Sequence, residues 1–254
     1  SLLALLSCAS IAAEKTVYMT VWRGCEEACQ GFQDYMKATA SDVNVIVRDA
    51  NRDRSKLTDF LEEAKVLKPD LVVTWGTTVS KAIIGTRAEL GEETLLGDIP
   101  VLFMIVADPV GADISASADE TGRPTVTGIR NRIEEGVQIN AMREYLPVKK
   151  VGVVYSSAEL NSVLNTEKLR QLADQMSFEL VEFEYLLDAQ GKPLPNQFDD
   201  AMAHLAAEGV DVVYVGSSSY NLANSDAFTE AALRFNLPVA SAYDSMVTNS
   251  SALI

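Results

Sequence analysis

The sequence predicts an α/β protein of two lobes, each built on a parallel sheet covered on both faces. Three observations carry that expectation. Apolar runs of strand length alternate with amphipathic stretches, the pattern of a parallel sheet between helical layers. The alternation breaks once, between Ala107 and Val126 (ADPVGADISASADETGRPTV), and restarts at Lys150 after one short run. The length, 254 residues, suits one large or two medium domains.

In chain order the strands are expected at Thr16 to Trp22, Val43 to Ala50, Leu71 to Trp75, Pro100 to Ala107, Val126 to Ile129, Lys150 to Tyr155, Glu179 to Tyr185, Asp211 to Val215 and Pro238 to Ala242. Helices lie between most of them. Ala28, Phe32, Tyr35 and Met36 keep one face of the first at the three-and-four spacing. Leu57, Phe60, Leu61, Ala64 and Leu67 do so in the second, and Leu160, Leu164, Leu169, Leu172 and Met176 in a later one. These stripes read as core. The organisation is then a leader remnant over 1–13, a first lobe over 14–129 and a second over 130–254. No solenoid repeat or low-complexity tract interrupts it.

The leader reading rests on SLLALLSCASIAA, Ser1 to Ala13, which is apolar, ends in small residues, changes abruptly to Glu14-Lys15 and is too short to span a bilayer. Ser10 and Ala12 suit ordinary signal cleavage; Leu5-Leu6-Ser7-Cys8 instead resembles a lipoprotein box with Cys8 lipidated. Export would set Cys25 and Cys29 in an oxidising space. At i and i+4 they form a disulfide only if the turn distorts, and two unpaired cysteines on the first helix are the equal alternative. At the other end, Ala252-Leu253-Ile254 is apolar and reads as cut in mid-element.

Composition excludes several functions. The formal net charge of -15, from 21 Lys+Arg and 36 Asp+Glu, repels phosphate backbones and anionic lipid, so no nucleic-acid partner is expected. One histidine, His204, leaves little for a hydrolase triad or a zinc site, and its helical stretch reads as surface or half-buried. None of GxSxG, GxxxxGK, GxGxxG or HExxH occurs. Neither metal nor cofactor is expected.

In open α/β sheets ligands sit beyond the carboxyl ends of the strands, so the residues there are the candidates. They are Trp22 and Arg23 after the first strand, Trp75, Thr77 and Thr78 around the end of the third, and Asp108 after the fourth. Ser157, Glu159, Asn161 and Ser162 follow the sixth, and Ser218 and Tyr220 the eighth. Short hydroxyls, one guanidinium and a few carboxylates and aromatics suit a polar small molecule with an apolar part. Each also has a structural reading. Thr77 or Thr78 can cap a helix, Asp108-Pro109 is an N-cap pair, Ser156-x-x-Glu159 is a capping box, and Trp22 and Trp75 can be core.

The runs Asp70 to Thr78 (DLVVTWGTT), Ile99 to Gly111 (IPVLFMIVADPVG), Val126-Thr-Gly and Lys150 to Ser162 (KVGVVYSSAELNS) resemble, in order and spacing, the ABC transporter substrate-binding proteins of the tryptophan/tyrosine type, from Thr16 onward. The resemblance implies the type I periplasmic-binding-protein architecture: two Rossmann-like lobes, hinge strands, a ligand between the lobes, and closure that presents the complex to a membrane permease. It implies no cofactor and a periplasmic location. The family's ligand loops fall on Thr77 and Thr78, on Asp108, and on Ser157, Glu159, Asn161 and Ser162. Amino-acid-binding members place an Asp, able to pair with an ammonium group, where this chain has Ser218. Arg23 and Cys25-Glu-Glu-Ala-Cys29 also depart from the pattern and point to another ligand, a carboxylate held by Arg23. Members continue past the position of Ile254 with a return segment, so the resemblance implies a C-terminal truncation. The expected activity is capture of an amino-acid-like or carboxylate solute. The alternatives are a sensing module for a signalling partner and a serine-dependent hydrolase.

Overall fold

The computed structural model describes residues 15–253 except Ser41 and Asn131; the leader-like segment and Cys8 lie outside the described residues. Two compact units emerge. The first runs through Met104 and takes in Ile114–Ile129, and the second comprises Ile105–Asp113 and the chain from Arg130 onward. Ile105–Asp113, assigned by sequence to the first lobe, therefore packs with the second unit.

The first unit contains β1 (Lys15–Val21), α1 (Glu27–Thr39), β2 (Val43–Asp49), α2 (Lys56–Leu67), β3 (Leu71–Trp75), α3 (Thr77–Ile84), α4 (Arg87–Leu90), β4 (Val101–Met104) and β5 (Val126–Ile129). Its strands form one parallel sheet in the order β2-β1-β3-β4-β5, with Val17 opposite both Val45 and Leu71. β4 stops at Met104, three residues short of the sequence expectation, because Ile105 takes φ 56° and turns the backbone out of the ladder. That conformation is costly for a β-branched residue.

The second unit contains α5 (Glu135–Arg143), β6 (Lys150–Tyr155), α6 (Leu160–Met176), β7 (Glu179–Glu184), α7 (Phe198–Ala207), β8 (Val212–Val215), α8 (Ser219–Ala223), α9 (Ser225–Arg234), β9 (Val239–Ser241) and α10 (Asp244–Asn249). Its sheet is parallel, in the order β7-β6-β8-β9. Successive residues of β8 serve opposite faces, as a pleated strand requires. Val213 and Val215 join the cluster containing Met202, Leu205 and Phe228, while Val212 and Tyr214 join the one containing Ile139, Met142 and Leu169. Helices thus cover both faces, which is why the strands read as continuous apolar runs.

Two helical stripes differ from expectation. In α1 the inward face is Cys29, Phe32, Gln33 and Met36, and Ala28 and Tyr35 face solvent. In α6 the buried positions are Ser162, Asn165, Thr166, Leu169 and Leu172, so the first half of the inward stripe is polar. Leu67, in the last turn of α2, is also exposed. No helix of the described residues is long and apolar enough to cross a membrane.

Candidate functional site

In each sheet the order of strands reverses beside the first strand of the unit, and at such a switch point the loops leaving two neighbouring strands diverge and open a crevice. In the first unit these are the loops after β1 and β3. Gly76 is the N-cap of α3 and has φ 96°, a conformation natural to glycine; its missing side chain would lie 3.9 Å from Cβ of Trp22. Thr77 and Thr78 thus fall inside the first turn of α3, and neither is its N-cap. Thr77 is buried and Thr78 half-buried. Trp75 is buried, at the end of β3 in the core, and Trp22 is half-buried.

Arg23 directs Nε and Nη2 at the two carboxylate oxygens of Glu26, at 2.6 and 3.3 Å. A ligand carboxylate at Arg23 would share the guanidinium with Glu26 or displace it, a pairing that the sequence did not foretell. Cys25 and Cys29 are joined by a disulfide, with Cα atoms 5.1 Å apart, across the entry to α1. The unpaired alternative is thereby set aside.

In the second unit the switch point lies between β6 and β8, and here the loops hold one another. Asn161 Nδ2 donates to the Ser217 carbonyl at 3.3 Å and meets Ser217 Oγ at 3.2 Å. The Glu159 carboxylate accepts from the backbone N–H of Ser219 at 2.9 Å. The expected capping box is absent. Glu159 is itself the N-cap of α6 and its side chain serves the neighbouring loop, while Ser156 Oγ accepts from the N–H of Ala158. Ser162 is buried, its Oγ accepting from the N–H of Ser156 at 3.4 Å; Ser157 is exposed. Ser218 is buried and caps α8, accepting from the N–H of Asn221 at 3.2 Å. Tyr220 turns from the loop into an aromatic cluster, with its ring 5.1 Å from that of Tyr185 and 5.8 Å from that of Phe198. The second unit's core holds that ring.

Beside these loops is a cavity of about 210 Å³. Asp108 and Asn161 reach it, and so do residues that sequence reasoning did not single out: Arg130, Arg132, Glu134, Glu135, Asn165 and Lys168. Asp108 Oδ1 accepts from the N–H of Gly111 at 2.8 Å, closing a turn rather than starting a helix. Arg132 and Glu135 form a largely buried pair, 3.4 Å apart, with Asn165 Nδ2 donating to Glu135 at 3.1 Å. Arg132 Nη2 donates to the hydroxyl of Tyr214 at 3.1 Å, which donates to Gln138 at 2.9 Å. Burial pushes the Tyr214 hydroxyl up to about 12, so it stays protonated at neutral pH. The signal that would have found this group is the polar half of the α6 stripe, where Ser162, Asn165 and Thr166 occupy core positions.

Among the described residues no group of three or more His, Cys, Asp or Glu is arranged to hold a metal. His204 is exposed on α7 with its ring 6.1 Å from that of Phe183. The hydroxyls of Ser156, Ser162, Ser217 and Ser218 serve in caps and loop ties, and the surrounding donors and acceptors can orient a polar solute.

The comparisons with known proteins agree. A family model described as ABC transporter substrate binding protein matches residues 21–253. A tyrosine-binding protein of Clostridioides difficile is 23% identical over 155 residues, 61% of this chain and 42% of the relative, so the matched stretch spans less than half of that protein. A conserved domain protein from Vibrio cholerae superposes with a TM-score of 0.74 at 24% identity, covering 92% of this chain and 76% of that one. An ABC domain from Streptococcus pneumonia in complex with L-Trp gives 0.73 at 19% identity with the same coverage. These likenesses show the fold, the α/β architecture with two parallel sheets of the type I periplasmic binding proteins. The match to residues 21–253 settles the family: the chain belongs to the ABC transporter substrate-binding proteins.

Proposed function

We propose that the chain is the exported solute receptor of an ABC uptake system, which captures a small polar organic molecule by hinge closure and hands it, chemically unaltered, to a membrane permease. The observation that carries this reading is the gathering of polar groups at the carboxyl ends of β6 and β8, in a chain whose family is one of substrate-binding proteins. Thr77, Thr78, Asp108, Ser157, Glu159, Asn161, Ser162 and Ser218 are the proposed polar contacts, with the half-buried Trp22 as apolar wall and Trp75 left to the core. Arg23 contributes where the solute shares its guanidinium with Glu26 or displaces that carboxylate. The mechanism is a population shift: contacts made by both units exist only in the closed form, so the solute favours closure. The permease partner, the periplasmic location and export through the apolar leader belong to this proposal.

An amino-acid-like or carboxylate solute is the inferred class. The Clostridioides difficile relative is named for tyrosine, and the streptococcal structure holds L-Trp. A serine hydrolase reading draws no support from Ser218, whose hydroxyl caps α8, or from His204, which lies against Phe183. A thermal-shift screen of the full chain against amino acids, carboxylates and nucleosides tests the proposal. A solute present at about 100 times its Kd should stabilise by about 2.7 kcal/mol and be recovered unaltered after denaturation. Turnover of the solute, or stabilisation by none of these classes, refutes it.

A further inference from the structure

The cavity of the second unit carries charge that its own residues leave unused. Its lining holds three cations, Arg130, Arg132 and Lys168, and three carboxylates, Asp108, Glu134 and Glu135. The carboxylates are engaged. Glu134 pairs with Arg130 at 2.5 Å, Glu135 with Arg132 and Asn165, and Asp108 with the N–H of Gly111. The cations are not fully engaged. The Arg132 side chain is only 10% exposed, yet its buried Nε has no acceptor among the described residues. Lys168, on the exposed side of α6, has no acidic partner among the described residues. A buried donor left unpaired bears its desolvation cost, and the Arg132 side chain that carries it is one of those lining the cavity.

Arg132 is also held in place. Tyr214 and Glu135 fix Nη2, and Asn165 fixes Glu135. Asn165 in turn lies against Gly216, where an added Cβ would stand 2.0 Å from its Oδ1. The end of β8 supplies a neutral hydroxyl, Ser218, and no carboxylate.

We propose that Arg132 anchors a carboxylate of the solute in this cavity, with Lys168 as a second, outer cation. The second unit then reads the anionic end of its ligand. This rests on the solute-receptor reading and names the ligand chemistry of that site. At about 210 Å³ the cavity accommodates the acidic head of a solute, the remainder lying outside it. An ionised acceptor forms the stronger, charge-assisted hydrogen bond with a guanidinium, and this difference is what the site selects.

The test uses matched pairs on the full chain: L-tyrosine and L-tyrosinamide, benzoate and benzamide, succinate and succinamide, followed by calorimetric titration. The wild type should bind at least one acid about tenfold or more tighter than its amide. Arg132→Gln should erase that preference while leaving amide affinity within about twofold, and Arg132→Lys should restore part of it. Equal binding of acid and amide by the wild type, or a preference that survives Arg132→Gln, overturns the assignment and leaves the receptor reading intact. Stabilisation by a nucleoside and by no acid does the same, whereas stabilisation by no probe at all removes both. Should Arg132→Gln fail to fold, Lys168→Gln on the exposed face decides: a weakened acid preference supports the assignment, and an unchanged one overturns it.

Discussion

Glu63 shows how one side chain can tie three elements of the first unit together. Its carboxylate accepts from the hydroxyl of Tyr18 on β1 at 2.7 Å and from both ends of the Arg48 fork on β2, at 2.5 and 2.8 Å, while it stands on α2 itself. The Arg48 guanidinium, and after it the Tyr18 hydroxyl, hold the Glu63 carboxyl below its ordinary value of 4.5. A carboxylate with a lowered folded value adds stability that is complete above the ordinary value and disappears as pH falls through the lowered one. Glu63→Gln should therefore lower the urea midpoint at pH 7 and narrow its gap to the wild type at pH 3. The pair is 38% and 39% exposed, so the effect should stay within about 1 kcal/mol. A gap of the same size at both pH values would show that the network does not depend on the charge of Glu63. The same scale explains why Arg132 and Asn165 escaped sequence reading. A search of residues directly after each strand finds Asn161 and Ser218, but Arg132 stands in the link between β5 and α5, and Asn165 more than a turn inside α6. Their relation to the cavity is set by side-chain packing, to which Gly216 contributes by having no Cβ.

At the scale of elements, sequence was a good guide to strands and a weaker one to their ends and to helical faces. All nine expected strands are present; burial on both faces selects the apolar runs of β1, β3, β6 and β8, whereas β2, β5 and β7 are only partly buried. The overrun at β4 has a local cause, since Ile105 and Val106 are as apolar as the strand before them and only the backbone turn at Ile105 separates them. In α1 the inward face includes Gln33, which hydrophobicity alone places outside, so the stripe is rotated toward Cys29. Helix α8 illustrates how a short element is fixed by its ends. It has only five residues, Ser218 caps it, and Asn221 pins it by donating to the Val154 carbonyl at 2.9 Å and accepting from the Tyr185 hydroxyl at 2.7 Å. A helix this short owes its stability to such fixings and not to propensity. Ser218→Ala should cost about 1 kcal/mol in the solute-free protein, and Ser218→Gly only a few tenths, measured by urea unfolding of the second unit. Equal losses for both would mean that the hydroxyl does not act as a cap.

At the scale of the molecule, the chain divides its apolar burial between separate sheets. Val17, Met19, Val72 and Val73 are buried within the first unit, while the second has one apolar cluster on each face of its own sheet. Each unit has the parts of a domain that unfolds in its own right, and a chain of two such parts departs from two-state behaviour. Scanning calorimetry of the solute-free chain should therefore give a calorimetric enthalpy greater than the van't Hoff enthalpy. The two substitutions argued above identify the transitions. Glu63→Gln should move only the one belonging to the first unit, and Ser218→Ala only the other, since each side chain has its partners within its own unit. A bound solute that contacts both units stabilises them jointly, so titration with it should draw the two transitions together. If one cooperative transition responds to both substitutions without solute, the units unfold as a single body, and the solute is not what couples them.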